Sequence, residues 1–117
     1  MNKATFFQRG ETLDYKNATN QTIPAGSILE IGTIIGVAAA DIEPGAIGVV
    51  HVTGVFEIPK TDQTEISQGA AVYFDGSGIT ASASTGEGDD AVNNILVGYA
   101  AETSAATKTS VIVKLRG

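Results

Sequence analysis

The chain has 117 residues, no cysteine and a formal net charge of −6. Its length fits one domain with a core of its own, and the lack of cysteine excludes disulfides, thiolate metal sites and cysteine nucleophiles. An acidic chain also lacks the clustered positive charge that nucleic acids and anionic membranes attract. We therefore expect neither of these partners.

Residues 1–10 are predicted to form an N-terminal arm or the first strand, ahead of a single β domain over residues 11–117. The apolar run at Phe6 and Phe7 is too short for the core of a signal peptide, so we expect a protein made in the cytoplasm. Adjacent residues of a strand point to opposite faces, so one Phe can enter the core while the other faces a partner. We predict an interface at Thr5, Phe6, Phe7, Gln8 and Arg9.

A short pattern, Ile-x-x-Gly followed by a small residue and a β-rich run, occurs three times. The copies begin at Ile23, Ile42 and Ile66. Glycine at the fourth place allows the positive φ of a type II turn, and the isoleucine is expected to anchor that turn to the core. Because the copies are unevenly spaced, they do not indicate a solenoid.

Alternating apolar and polar residues predict strands along most of the chain. The clearest is the last, where Val111, Val113 and Leu115 share one face. The other predicted strands lie near residues 28–31, 33–37, 50–53, 55–58, 71–74 and 95–101. About eight short strands with glycine-rich turns favour an all-β fold, a small β-barrel or β-sandwich.

Residues 77–94 are rich in Gly, Ser, Thr and Asp, which predicts a flexible acidic loop or an irregular hairpin around Ile79. At the start of this loop, residues 75–78 (Asp-Gly-Ser-Gly) indicate a turn, because a calcium loop needs more carboxylates. Residues 86–91 match Gly-x-Gly-x-x-Ala, but three carboxylates would repel a pyrophosphate and no βαβ unit surrounds them.

No catalytic motif is convincing. His51 is the only histidine, and nothing in the sequence pairs it with a nucleophile. Lys60-Thr61 and Lys108-Thr109 lack the glycine that precedes lysine in a P-loop. The sequence therefore predicts a non-enzymatic protein with no cofactor and no metal.

Three stretches together resemble a family of small phage and prophage proteins long catalogued as a domain of unknown function. They are residues 5–15, residues 26–60 and residues 69–75, with a similar C-terminal region. The most specific parts are VTGVFEIPK at 52–60 and VYFD at 72–75. Some members carry a recombinase label, which we reject because this chain lacks the P-loop that such an activity requires.

Members of that family are similar to the capsid cement, or head decoration, proteins of tailed phages. The resemblance implies a β-rich protein on the outside of the expanded head, bound to the major capsid protein and made in the bacterial host cytoplasm. It also implies a homo-oligomer, with a trimer favoured by lambda-type decoration proteins and a dimer as the alternative.

Two other functions compete with capsid binding. The first is a virion-displayed β-domain that binds a carbohydrate or a host surface. Aromatic residues make up 6% of the chain and tryptophan is absent, which leaves few platforms for stacking on sugars. The second is a hydrolase with a dispersed active site, which the single histidine disfavours.

Overall fold

A computed structural model describes residues 3–6, 8, 10–86 and 88–116. In these residues the chain forms β-strands and one short 3₁₀-helix, Gly88–Asp90, but no α-helix. The strands are β1 (Thr12–Lys16), β2 (Ile28–Ile31), β3 (Ile34–Ala38), β4 (Ile47–His51), β5 (Thr53–Pro59), β6 (Ala71–Phe74), β7 (Ile79–Thr80), β8 (Ser84–Thr85), β9 (Val92–Asn93), β10 (Ile95–Ala100) and β11 (Ser110–Arg116).

The strands form two large sheets and one small one. The first sheet has the order β1-β4-β3-β2, the second has β5-β11-β10-β6-β7, and β8 pairs with β9. All pairs of neighbouring strands are antiparallel. The large sheets make a sandwich-like arrangement, and in the described part of the chain they are not closed into a barrel. The predicted all-β class is confirmed.

The three Ile-x-x-Gly segments form the predicted turns. Gly26, Gly45 and Gly69 have φ values of +84°, +79° and +88°, as the third residue of a type II turn requires. In each turn the backbone N–H of the residue after the glycine donates to the carbonyl oxygen three residues earlier. Ile42 and Ile66 are buried and anchor their turns as expected, whereas Ile23 is half-buried.

The two large sheets are built in the same way. If β7 is set aside, the order β5-β11-β10-β6 repeats β1-β4-β3-β2, strand for strand. Ile23 forms an isolated antiparallel bridge with Ile42, and Ile66 forms the same kind of bridge with Ser104. The N–H of Gly26 donates to the carbonyl oxygen of Ala38, and in the same way the N–H of Gly69 donates to the carbonyl oxygen of Ala100. The chain therefore contains two structurally equivalent halves.

A fourth turn completes this correspondence. Residues 105–108 precede β11 as residues 43–46 precede β4, and the N–H of Lys108 donates to the carbonyl of Ala105 at 2.9 Å. Thr107 stands where the other turns have glycine, and its φ is not positive. The sequence pattern therefore missed this turn, because neither its isoleucine nor its glycine is present.

Each large sheet has two faces, which we name by their packing. The turn face packs against the turn isoleucines; it carries Leu13, Tyr15, Leu29, Ile31 and Ile34 in the first sheet and Phe56, Ile58, Val72, Phe74 and Ile95 in the second. The back face is the opposite side. Ile28, Ile35 and Val37 on the back face of the first sheet belong to the core that covers the turn face of the second.

Three local features differ from or add to the predictions. The described residues form eleven strands where about eight were expected, because the two-residue strands β7, β8 and β9 lie within the predicted loop. The hairpin at Ile79 is present, since Ile79 is buried and pairs with Phe74. Strand β1 was not predicted, although Leu13 and Tyr15 alternate with polar residues.

Residues 17–22 are polar throughout apart from Ala18, yet they are tied to the core. Asn17 is fully buried, and its Nδ2 donates to the carbonyl oxygens of Gln21 at 2.7 Å and Ile42 at 2.8 Å. Its Oδ1 accepts hydrogen bonds from the backbone N–H and the hydroxyl of Thr19. One buried amide therefore organises the whole loop.

Candidate partner-binding surfaces

The predicted interface at the N-terminus lies before the first strand. Of its five residues, Thr5, Phe6 and Gln8 are described, and none of them is in a strand. Phe7 and Arg9 lie outside the described residues. Phe6 is 84% exposed, and the Nε2 of Gln8 donates to the carbonyl oxygen of Thr12 at 3.2 Å. A large apolar side chain is thus presented to solvent close to the start of β1.

The back face of the second sheet is a second exposed apolar surface. Val55, Lys114, Tyr99 and Ala71 lie side by side across β5, β11, β10 and β6. Val55 is 57% exposed and Tyr99 is 45% exposed. Tyr73, Leu96 and Ile112 are half-buried on the same face. The centre of this face is apolar apart from Lys114, while Glu57 and Arg116 add charge on the same side of β5 and β11. The face lies on the side of the molecule away from the first sheet.

An oxygen-rich cluster lies where β5 leaves the second sheet. The Thr64 hydroxyl donates to Asp62, which also accepts from the backbone N–H groups of Thr64 and Ala81 and the hydroxyl of Thr80. The hydrogen bond from the Thr64 hydroxyl is the main cause that lowers the pKa of Asp62, and burial acts in the opposite direction. Together these effects bring the pKa of Asp62 from 3.8 to about 2. The carboxylate serves to hold the loop.

Asp75 plays a similar part in the next turn. Burial raises its pKa, but hydrogen bonds from the Thr61 hydroxyl and from the N–H groups of Ser77 and Gly78 outweigh that effect, and the pKa lies below its ordinary value. Because the carboxylate accepts from the N–H groups of Ser77 and Gly78 within its own loop, residues 75–78 form the predicted turn.

The remaining candidates from the sequence are part of the framework. His51 is half-buried, with its ring centroid 5.7 Å from that of Phe56. The Nζ of Lys60 donates to the carbonyl oxygen of Ala105 at 3.0 Å. No group of three or more His, Cys, Asp or Glu residues suited to a metal ion occurs among the described residues. No helix in that part of the chain is long and apolar enough to cross a membrane.

Comparison with known proteins adds a decisive observation. A family model described as phage cement protein matches residues 7–115, nearly the whole chain. The chain belongs to the phage cement protein family. No curated protein and no solved structure matches it. The family consists of phage structural proteins and is not a known enzyme family, and its name associates this chain with the phage capsid.

For a cement-family protein, exposed apolar surface is the feature most relevant to function, because such surface marks sites of protein association. The sequence pointed to Phe6 but missed the back face of the second sheet. The signal lies in β5, where the exposed Val55 stands between the half-buried Gly54 and Phe56, and in β10 at Tyr99. The sequence alone does not reveal this face, because an exposed valine and an exposed tyrosine form one surface only when their strands are paired in a sheet.

Proposed function

We propose that this protein binds the outside of the expanded head of a tailed phage and stabilises it by bridging neighbouring subunits of the major capsid protein. The observation that carries the proposal is the family match over residues 7–115. The protein acts as a homo-oligomer, a trimer in preference to a dimer, and it has no catalytic activity. It is made in the host cytoplasm and ends up on the virion surface.

The N-terminal segment is the proposed capsid contact. Its backbone is outside the strands at residues 3–6 and 8, and Phe6 offers a large apolar side chain to solvent. An extended segment can add to the edge of a capsid sheet through main-chain hydrogen bonds, while the phenylalanine enters a pocket on the partner. Several such arms on one oligomer would bind with avidity, because each adds to the same attachment.

The test is binding to empty expanded heads. Purified protein is mixed with heads that lack it, the heads are sedimented, and their thermal stability is measured with and without the protein. We expect saturable co-sedimentation and a higher temperature of head disruption. Absence of both would overturn the proposal. Binding to a glycan array without binding to heads would support the virion-displayed carbohydrate-binding domain instead.

Two matched variants test the arm. Phe6→Ser removes the exposed aromatic ring, and Val92→Ser removes an exposed aliphatic side chain from β9. Loss of an anchoring aromatic residue typically weakens a protein interface by about 2 kcal/mol or more, which is at least about 30-fold in affinity. We expect Phe6→Ser to lose head binding to this extent and Val92→Ser to bind as the unmodified protein does. Equal binding by the two variants would exclude Phe6 as an anchor.

A further inference from the structure

The two equivalent sheets differ in how well their turn faces are covered. On the turn face of the second sheet, Ile58 and Val72 are buried beneath Ile35 and Val37 from the back face of the first. Their counterparts on the turn face of the first sheet, Tyr15 and Leu29, are only half-buried. Among the residues that the structure describes, the first sheet therefore lacks the layer that completes the second.

That missing layer has a counterpart elsewhere in the chain. Val37 of the first sheet packs on the second sheet. Ala38 and Ala100 are equivalent, because each accepts the hydrogen bond from a turn glycine. Tyr99, which precedes Ala100, is therefore the equivalent of Val37. Ala71 corresponds in the same way to Ile28. The back face of the second sheet thus has the position of a covering layer, keeps apolar residues there, and leaves Tyr99 45% exposed.

We propose that the back face of the second sheet in one copy packs on the turn face of the first sheet in a neighbouring copy. The contact repeats between copies the one that joins the two halves within each chain. Each copy uses the back face of its second sheet towards one neighbour and the turn face of its first sheet towards the other, so the contact is heterologous. Repetition of such a contact produces a closed ring when the rotation between copies is a whole fraction of a full turn. A trimer would arrange six equivalent sheets around that ring.

The intramolecular contact predicts which residues meet. His51 on the back face of the first sheet lies against Phe56 on the turn face of the second, with ring centroids 5.7 Å apart. Lys114 pairs with Tyr99, and His51 pairs with Val37. Because Tyr99 and Val37 are equivalent, Lys114 is the equivalent of His51. Leu13 pairs with Val50, and Phe56 pairs with Val113. These two valines are equivalent because they pair with Ala38 and Ala100, so Leu13 is the equivalent of Phe56. Lys114 of one copy should therefore lie beside Leu13 of the next, with the lysine stem packed along the leucine.

This inference deepens the homo-oligomer in the proposed function, and it is tested on purified protein without heads, so the two can fail separately. The first experiment is native mass measurement of three variants. Tyr99→Glu places a charge on the back face of the second sheet, and Leu13→Glu places one on the turn face of the first. Val92→Glu is the control, because Val92 is exposed on β9 and belongs to neither face.

We expect a ring of defined mass for the unmodified chain and for Val92→Glu, and monomers for the other two variants. An equimolar mixture of Tyr99→Glu and Leu13→Glu should form a one-to-one dimer, because each supplies the face that the other has lost. A monomeric unmodified chain at high concentration, an unchanged mass for both face variants, or a mixture that stays monomeric would each overturn the proposal.

A second experiment detects the contact without disrupting it. The chain has no cysteine, so Leu13→Cys and Lys114→Cys introduce the only thiols. With a short thiol-to-thiol linker, the double variant should form covalent oligomers, while each single variant stays monomeric under denaturing electrophoresis. Covalent dimers from Leu13→Cys alone would indicate a symmetric contact and would overturn the head-to-tail arrangement, as would a double variant that fails to link.

Discussion

Residues 12–51 and residues 53–116 build sheets of the same strand order, but they connect their strands differently. In the first half β2 and β3 are joined by the two residues Gly32 and Thr33. In the second half the equivalent strands, β6 and β10, are separated by residues 75–94, which contain β7, β8, the 3₁₀-helix and β9. The shared framework is thus defined by its turns and strand pairs, and the connection between strands can vary.

The halves also differ in the space that surrounds an equivalent glycine. Gly36 and Gly98 occupy equivalent positions, two residues before Ala38 and Ala100. A Cβ added at Gly98 would lie 1.9 Å from the carbonyl oxygen of Lys114, whereas one at Gly36 would lie 3.0 Å from the end of the Ile31 side chain. The second half therefore requires glycine at a place where the first half only accommodates it.

The largest expected effect separates those two glycines. Gly98→Ala must displace the backbone of β11, so we expect it to lower the free energy of unfolding by about 3 kcal/mol or more. Gly36→Ala meets a movable side-chain end and should change stability by about 1 kcal/mol or less. Urea denaturation of both variants checks this, and similar values for the two would contradict the difference in space at the two glycines.

The next effect compares the turn isoleucines. Ile66 is 1% exposed beneath the covered turn face, while Ile23 is half-buried. Ile66→Ala should lower the free energy of unfolding by about 3 kcal/mol, and Ile23→Ala by about 1–2 kcal/mol, because the second removes less buried surface and leaves a more open site. Thermal and urea unfolding measure both, and an equal loss would show that the two cores are equally closed.

The sequence predicted this framework where local chemistry specifies it. Glycine at residues 26, 45 and 69 gave the three type II turns, because positive φ is a property of the residue itself. Alternation gave the buried faces of β5 and β11, since Ile58, Val111 and Val113 are buried as expected. Both signals act over a few residues and need no knowledge of the rest of the fold.

The duplication and the exposed faces could not be predicted in the same way. The insertion at residues 75–94 changes the spacing between equivalent turns, and Ser104 and Thr107 replace the isoleucine and the glycine of the fourth turn, so the sequence shows three uneven copies. Which face of a sheet is covered depends on how the halves pack. The exposure of Tyr99 and the burial of Val37 at equivalent positions follow only from that packing.

A smaller effect distinguishes the glycine turns from the fourth turn. Gly69 has a φ of +88°, so Gly69→Ala places a Cβ in the left-handed region and should lower the free energy of unfolding by about 1–2 kcal/mol. Thr107 has no such requirement, and Thr107→Gly should cost less than about 1 kcal/mol by making the unfolded chain more flexible. Circular dichroism during urea unfolding compares them, and a larger loss for Thr107→Gly would contradict the assigned turn geometry.

The smallest effect concerns pH and the loops that follow β1 and β5. The first loop is held by the neutral amide of Asn17 and the second by the carboxylate of Asp62, each accepting from a threonine two residues later. The folded pKa of Asp62 is about 2, below its ordinary value of 3.8. Its stabilising contribution is therefore complete above about pH 4 and is lost as the pH falls towards 2.

Because Asp62 is partly open to solvent, we expect that contribution to stay below about 1 kcal/mol. Asp62→Asn keeps an oxygen acceptor but cannot titrate, so its stability should fall less steeply than that of the unmodified chain between pH 4 and pH 2. Thr64→Val removes the main hydrogen bond that lowers the pKa and should likewise flatten the profile. Urea unfolding at a series of pH values measures both slopes. If the variants' free energies of unfolding changed with pH in parallel with that of the unmodified chain, the ionisation of Asp62 would not contribute to the stability of the second loop.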